Sequence, residues 1–175
     1  MPYRRFLLIS RFFHLVDDSE AVEGDKLKKI RFVYDHLNHK FAQNYTCNED
    51  LALDESLMKF GGRLSYVQCN RSKRARFGIK FYKVCESSSG YCYKFKIYTG
   101  APAEPCPTSK ELLVSEAIVL EMVEALKNMG YTIILDSWYS SPKLYVVAKN
   151  QGFNLLGTVN PARENMPPSF NDKKN

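Results

Sequence analysis

The stretch Tyr131-Thr132-Ile133-Ile134-Leu135-Asp136 is a short apolar run that ends on an acidic residue, and the polar, turn-prone segment Ser137–Ser141 follows it. Earlier in the chain, Asn48–Leu53 leads to Asp54 in the same way. A short apolar run bounded by turn residues indicates a buried strand. We therefore expect Asp54 and Asp136 to end two strands, held on rigid elements but within reach of solvent.

The elements before the second run follow from the spacing of apolar side chains. Residues 1–48 have the helical spacing of a lead-in segment, and the spacing changes to a strand pattern from Leu51 onward. Two β-rich runs, Ile79–Cys85 and Tyr91–Tyr98, are joined by a loop that ends in a glycine, which predicts a hairpin. The middle of the chain is therefore predicted to hold three strands.

Helices and strands then alternate. A helix is predicted over Lys110–Met129, with Thr108 or Ser109 as its cap, and a strand over Tyr131–Leu135. Ser141-Pro142 then starts a helix over Lys143–Gln151, and Phe153–Val159 is predicted to be a strand. The order β-β-β-α-β-α-β is typical of a ribonuclease-H-like α/β fold with a mixed sheet, in which the first and fourth strands lie side by side. We expect residues 49–160 to form this domain, incomplete at its C-terminal end, and residues 161–175 to form an irregular tail.

Composition excludes several classes of protein. A hydrophobic content of 45% is that of a globular chain and not of a disordered one. No stretch approaches the roughly 18 consecutive apolar residues of a membrane span, so we expect a soluble, intracellular protein with no membrane partner. The five cysteines include no Cys-x-x-Cys pair, and their number is odd. The sequence therefore predicts neither a disulfide framework nor a zinc site.

Positive charge is concentrated in one part of the chain. Residues 57–85 contain no acidic residue and eight basic ones, while the rest of the chain is close to neutral. Such a run often forms an ordinary solvated face, but aromatic residues alternate with the charges here, which favours a surface that binds a polyanion. The predicted DNA-binding residues are Arg63, Arg71, Lys73, Arg74, Arg76 and Lys80.

Two carboxylates at neighbouring strand ends would form half of a divalent-metal site. Like charges about 4 Å apart repel by about 4 kcal/mol at an effective dielectric of 20, so the pair either takes up a proton or binds a cation. Hard oxygen ligands select Mg²⁺ or Mn²⁺, which can promote phosphodiester displacement. A single Asp after a strand is more often a turn or cap residue, and that alternative stays open for Asp54 and Asp136. Glu55 should point to the opposite face of its strand and have a structural role.

Several motifs resemble those of the piggyBac family of transposases. Asp54–Arg63 looks like the first catalytic block of that family, and Asp136–Ser141 looks like the second. The stretches Lys73 with Phe77–Lys80, Gly90–Gly100, Leu156–Val159 and, upstream, Arg11–Leu15 and Lys29–Phe41 also resemble family segments, in the same order. The resemblance therefore covers nearly the whole chain.

The resemblance implies a ribonuclease-H-like domain that cuts and joins DNA with three aspartates and Mg²⁺ (or Mn²⁺). Asp54 and Asp136 match the first two catalytic, metal-binding aspartates. The third would lie on a later helix, beyond Asn175, so the domain is expected to be truncated and inactive by itself. The chain also departs from the family pattern, because Ser137 stands where an asparagine is usual and Asn160 where an arginine is usual.

Two functions remain open from the sequence. The first is a fragment of a transposase that acts on DNA at transposon ends, for which a homodimer is one assembly to consider. The second is a domesticated, transposon-derived DNA-binding protein that keeps the basic surface without catalysis. Both place the protein in the nucleus.

Overall fold

A computed structural model of the chain describes residues 1–17, 22–70, 76–100 and 112–168. The helices are α1 (Tyr3–Phe12), α2 (Arg31–Asn44), α3 (Val114–Val123, followed by a short 3-10 helix, Glu124–Leu126) and α4 (Pro142–Asn150). The strands are β1 (Asp50–Lys59), β2 (Gln68–Cys69), β3 (Phe77–Glu86), β4 (Cys92–Ile97), β5 (Thr132–Leu135) and β6 (Asn154–Gly157). The predicted α/β fold with a mixed sheet is confirmed, with the two-residue β2 as an addition.

One mixed sheet contains all six strands. Its order is β2-β3-β1-β5-β6, and β4 pairs with β3. β1 is antiparallel to β3, whereas β1, β5 and β6 are mutually parallel. The first strand and the strand after α3 are therefore neighbours, as the predicted fold requires.

The prediction that Asp54 ends its strand is wrong. β1 continues to Lys59, so Asp54 lies near the middle of the strand. The physical reason is that β1 has different partners along its length. Leu51–Leu53 pairs with both β5 and β3, whereas the polar half from Asp54 onward pairs with β3 alone. Backbone pairing with β3 thus extends the strand past the point where its apolar run stops.

The two faces of the sheet carry separate apolar clusters. On the first face, Leu51, Leu53, Val84, Ile133 and Leu135 are buried and pack in one cluster with side chains of α3. Side chains of a strand alternate between faces, so Ala52, Asp54 and Ile134 belong to the second face. A smaller cluster occupies that face over β3 and β4: Leu27, Tyr66, Ile79 and Ile97, with Tyr34 of α2 packed against it.

The predicted helical lead-in contains two helices that differ in their surroundings. α2 is attached to β4, because the Tyr34 hydroxyl donates to the carbonyl of Phe95 (3.3 Å) and the Phe95 N–H donates to the side chain of Asn38 (2.8 Å). In α1, by contrast, the apolar side chains are exposed, including Phe6 and Phe12. None of the helices in the described part of the chain is long and apolar enough to cross a membrane.

A buried glutamate joins the lead-in to the end of the β3–β4 hairpin. Glu86 is 1% exposed, and its carboxylate accepts hydrogen bonds from the Ser89 hydroxyl, the Asn48 N–H (2.5 Å) and the Tyr45 hydroxyl (3.0 Å). These bonds, led by that from Ser89, lower the pKa of Glu86 to about 2. Gly90 closes the hairpin with a φ of +73°, a conformation that glycine adopts readily. The predicted hairpin is confirmed.

The start of α4 is as predicted, but the predicted helix Lys110–Met129 is wrong at both ends. α3 begins only at Val114, where the Leu113 N–H donates to the Glu116 carboxylate (2.8 Å), and its regular part ends at Val123. Ser141 caps α4, because its hydroxyl accepts from the Leu144 N–H (3.0 Å) and Pro142 occupies the first helical position. The Ser141 hydroxyl also donates to Glu116 of α3 (2.5 Å). The proposed caps Thr108 and Ser109 lie outside the described residues. The structure also does not describe residues 101–111 and 169–175. The second of these ranges includes much of the predicted tail, residues 161–175.

Candidate metal centre and nucleic-acid interface

Three parallel strands reach one cleft, β5 and β6 with their carboxyl ends and β1 with its middle. The last paired positions are Leu53 with Leu135 and Leu135 with Gly157. Asp54 and Asp136 follow these positions directly, so both line the cleft although only Asp136 lies beyond the end of its strand. The cleft has a volume of about 660 Å³ and is lined by Ala52, Leu53, Asp54, Ile134, Leu135, Asp136, Leu156, Gly157 and Thr158.

The cleft depends on a close approach between β5 and β6. A Cβ atom added at Gly157 would lie 2.2 Å from the carbonyl oxygen of Leu135. Any side chain at this position would therefore push β6 away from the strand that leads to Asp136.

Asp54 is held in an environment that disfavours its charged form. Partial burial raises the pKa of Asp54, and the neighbouring carboxylates of Glu55 and Asp136 raise it further. One carboxylate oxygen of Asp54 accepts the N–H of Glu55 (2.7 Å), which opposes this increase. A nearby cation would remove this repulsion, so a raised pKa is expected for a carboxylate that lies beside other acids at a cation-binding site.

Asp136 also organises the turn after β5. Its carboxylate accepts the N–H of Trp138 (2.5 Å), and its carbonyl accepts the N–H groups of Tyr139 and Ser140 (3.2 Å each). The turn function that is common for an aspartate after a strand is therefore present. This function fixes the carboxylate at the mouth of the cleft, where it remains exposed.

Glu55 lies on the opposite face of the sheet, next to the core. Its carboxylate accepts a hydrogen bond from the Tyr139 hydroxyl (3.1 Å), and Tyr139 is completely buried. Burial acts to raise the pKa of Glu55, but hydrogen bonds from Asp54 and Tyr139 and the charge of Lys80 lower it on balance. Glu55 thus links the turn after β5 to β1, which agrees with a structural role.

The donor set fits a hard divalent cation in part. Two exposed carboxylates on one cleft supply the oxygen ligands that Mg²⁺ and Mn²⁺ prefer, and these ions commonly keep several waters. Within residues 1–17, 22–70, 76–100 and 112–168, no group of three or more His, Cys, Asp or Glu side chains is arranged to hold a metal ion. Asp54 and Asp136 could therefore provide two ligands, with the remaining positions left to water or substrate.

Three of the predicted DNA-binding residues, Arg63, Arg76 and Lys80, lie in the described part of the chain. Arg63 and Arg76 are exposed in the segments that flank β2. Lys80 is half-buried on the side of Glu55, and its Nζ lies 4.7 Å from the ring centre of Tyr82 and 5.1 Å from that of Trp138. Its placement among aromatic rings separates Lys80 from the exposed arginines. Arg71, Lys73 and Arg74 lie outside the described residues.

Sequence reasoning missed two neighbours of the cleft. Lys83 is the direct cross-strand partner of Asp54 and is the nearest basic position to it on the same face. Trp138, which is 45% exposed, follows Asp136 in the turn and contacts both Lys80 and Tyr139. The basic segment contained the signal for Lys83, but only the register of β1 with β3 places it opposite Asp54.

Comparison with known proteins gives the family. A family model described as Transposase IS4 matches residues 1–175. The chain belongs to this transposase family. It is 28% identical over 174 residues to human PiggyBac transposable element-derived protein 2 and 30% identical over 162 residues to human PiggyBac transposable element-derived protein 3. The resemblance to piggyBac transposases that the motifs indicated is thereby confirmed.

The chain covers only part of each relative. The match spans 97% of this chain but 29% of the first human protein, and 89% of this chain but 26% of the second. A solved structure described as "Cryo-EM structure of piggyBac transposase synaptic complex with hairpin DNA" has a TM-score of 0.89 at 24% identity, covering 99% of this chain and 37% of that one. This neighbour confirms the ribonuclease-H-like fold.

Proposed function

We propose that this chain is part of a catalytic domain for divalent-metal-dependent cleavage and transfer of DNA strands at transposon ends. The observation that carries the proposal is the convergence of Asp54 and Asp136 on one cleft, beside the middle of β1 and the carboxyl ends of β5 and β6. The family membership supports the same reaction class.

The residues of the chain would act by positioning. Asp54 and Asp136 would hold Mg²⁺ or Mn²⁺ through carboxylate oxygens, each fixed by a hydrogen bond from a backbone N–H. When bound, the ion supplies activation of a water or 3′-hydroxyl nucleophile and stabilisation of the departing oxygen. Lys83, directly across from Asp54, would lie close enough to attract a phosphate to this face.

We further propose that the 175-residue chain does not transpose by itself. The resemblance calls for three aspartates, and this sequence supplies matches for two of them. Two carboxylates give weaker metal binding and less exact positioning than three, because each ligand contributes both charge and geometry. Catalysis would need a further acidic ligand at the cleft.

DNA is the proposed partner. The solved neighbour is described as a complex with hairpin DNA, and the exposed Arg63 and Arg76 of this chain belong to the basic segment 57–85. Contacts from such residues to phosphates would release counterions, so affinity should fall steeply with salt. Because DNA is the proposed partner, we also propose that the protein is located in the nucleus. A homodimer is the assembly to test.

A non-catalytic DNA-binding protein is the second candidate. It is favoured by the finding that no cluster of three potential ligands occurs among the described residues, and by human relatives named as transposable element-derived proteins. In that case the basic segment would be functional and the acidic pair would not.

Iron-directed cleavage of the protein backbone tests the metal centre without requiring enzymatic activity. Fe²⁺ that replaces Mg²⁺ produces hydroxyl radicals with ascorbate and peroxide, and these cut the chain near the bound ion. We expect cuts beside Asp54 and beside Asp136, suppressed by excess Mg²⁺ and lost in Asp54→Asn. Asp50→Asn is the matched control, because Asp50 is exposed at the start of the same strand and does not line the cleft. Cuts that persist in Asp54→Asn would refute the proposed site.

A hairpin-DNA assay separates the two candidates. The chain, Asp54→Asn and Asp50→Asn are incubated with labelled hairpin DNA in Mg²⁺ and in Mn²⁺, and both binding and cleavage are recorded. Binding without cleavage in all three proteins, together with the iron-directed cuts, supports an incomplete catalytic domain. Binding without iron-directed cuts supports the non-catalytic candidate. Cleavage that depends on Asp54 would show that the two carboxylates suffice.

A further inference from the structure

Two cysteines face each other across the β3–β4 hairpin. Cys85 and Cys92 are register partners, and the Cys92 thiol also contacts the carbonyl oxygen of Lys94 (3.7 Å). A bulge in β4 produces this pairing, because Val84 pairs with Lys94 and the next residue, Cys85, pairs with Cys92, so that Tyr93 is the extra residue. Without the bulge, Tyr93 would take the position opposite Cys85.

The geometry of this pair is that of a disulfide precursor. Directly opposed residues of antiparallel strands have Cα atoms about 4.5 to 5.5 Å apart. That range lies within the roughly 4.4 to 6.8 Å that a disulfide spans without movement of the backbone. Both side chains are half-buried, which leaves them accessible to a small reagent.

The cysteine pair lies on the same face of the sheet as the carboxylates. Cys85 pairs with Ala52, and Lys83 pairs with Asp54. Cross-strand partners share a face, and residues two apart on a strand lie about 7 Å from each other on it. The pair therefore lies one row of side chains from the candidate metal centre.

The two thiols have different tendencies to ionise. The hydrogen bond from Cys92, with the nearby charge of Lys83, lowers the pKa of Cys85 to about 7. The same hydrogen bond and burial raise the pKa of Cys92. Burial also raises the pKa of Cys47, while Cys69 is exposed and Cys106 lies outside the described residues. Near neutral pH, Cys85 is thus the attacking thiolate and Cys92 keeps its proton until the second step.

We propose that Cys85 and Cys92 form a thiol–disulfide exchange site whose oxidant is a small disulfide of the glutathione class. The Cys85 thiolate attacks one sulfur of the oxidant, a mixed disulfide forms, and the first small thiolate leaves and takes up a proton from water. Cys92 then loses its proton and attacks the Cys85 sulfur, and the second small thiolate leaves with that proton. In sum, the dithiol is oxidised to a disulfide and one small disulfide is reduced to two thiols. The site does not depend on the proposed DNA cleavage.

The test uses the whole reduced chain and oxidised glutathione near neutral pH, followed by acid quench, alkylation and peptide mass spectrometry. We expect an internal Cys85–Cys92 link in the wild-type chain and in the control Cys69→Ser. Cys92→Ser should stop at a mixed disulfide on Cys85, and Cys85→Ser should carry less glutathione on Cys92, because burial still raises the pKa of that thiol. Glutathione that accumulates on Cys69 with no internal link, or a stable mixed disulfide on Cys85 in the wild-type chain, would overturn the proposal.

Two further measurements guard against misfolded variants and against simple proximity in the sequence. In the wild-type chain, the rate of alkylation of Cys85 should rise with pH around a midpoint near 7, whereas Cys92 should stay slow. The link should also form several times faster in the folded chain than in urea, since the bulge holds the pair opposed. Equal rates in the two states, or equal titration of the two thiols, would refute the proposed site.

Discussion

Replacement of Asp54 by asparagine should stabilise the protein when no divalent ion is present. The change keeps the oxygen that accepts the Glu55 N–H and removes one of three neighbouring negative charges. Adjacent strands lie about 4.8 Å apart, so we take the carboxylates of Asp54 and Asp136 to be roughly 5 Å apart. Their repulsion is then about 3 kcal/mol at a dielectric of 20 and about 1 kcal/mol in water.

The lower of these values applies, because both carboxylates are exposed and solvent screens them. Asp54→Asn should therefore raise the free energy of unfolding by about 1 kcal/mol, or the midpoint temperature by about 3 °C for a chain of this size. Mg²⁺ at ten times its dissociation constant would add about 1.4 kcal/mol to the wild-type protein and nothing to the variant. The advantage of the variant should thus disappear in Mg²⁺.

The assay is urea unfolding in EDTA and in Mg²⁺ at matched ionic strength, with Asp50→Asn as the control. The pH dependence has a defined sign. Because the folded pKa of Asp54 is raised, the cost of its charge is present above that pKa and is relieved as the pH falls through it. The advantage of Asp54→Asn should therefore shrink in acid. A variant that is less stable than the wild-type protein in EDTA, or that gains as much from Mg²⁺, would refute the electrostatic argument.

Three further predictions concern stability. Glu86→Gln should be less stable than the wild-type protein at neutral pH, and the difference should shrink between pH 4.5 and about 2, because the lowered pKa of Glu86 favours the folded state only while the group is ionised; a difference that is independent of pH in acid unfolding would contradict this. Ser141→Ala should lower the free energy of unfolding by about 2 kcal/mol, since it removes the cap of α4 and a hydrogen bond to buried Glu116. In a double-mutant cycle with Glu116→Gln, additive losses would show that Ser141 and Glu116 do not interact. In denaturant unfolding, Leu53→Ala should lower the free energy of unfolding by about 3 kcal/mol, because Leu53 is buried in the core. Met58→Ala, on the same strand but with a half-exposed side chain, should lower it by less than about 0.5 kcal/mol. Equal losses would contradict the faces assigned to the two residues.

The fold was predictable where a local signal agreed with the tertiary contacts. The pattern around Ser141 and Pro142 places a cap and a proline where α4 needs them, and the glycine at position 90 supplies the positive φ of the hairpin. The apolar run 131–135 gives β5 almost to the residue. In these segments the sequence neighbours and the spatial neighbours favour the same conformation.

The rest depended on partners that are distant in sequence. β1 extends past Asp54 because β3 pairs with its polar half, and a rule based on apolar runs stops too early. The same register decides that Lys83 lies opposite Asp54, while alternation along β3 places Lys80 on the other face, beside the rings of Tyr82 and Trp138. Sequence spacing indicated the convergence of the two acids, but their basic neighbours required the cross-strand register.

The parallel pairing of β1 with β5 has a consequence for the order of events during folding. Asp54 and Asp136 become neighbours only through this pair, and β2, β3, β4 and α3 lie between the two strands in the chain. Long-range parallel pairing forms late, because the connecting segment must be ordered before the strands gain any contact. A nascent or half-folded chain would thus lack the paired carboxylates, and the candidate metal centre would form only once the central sheet is complete.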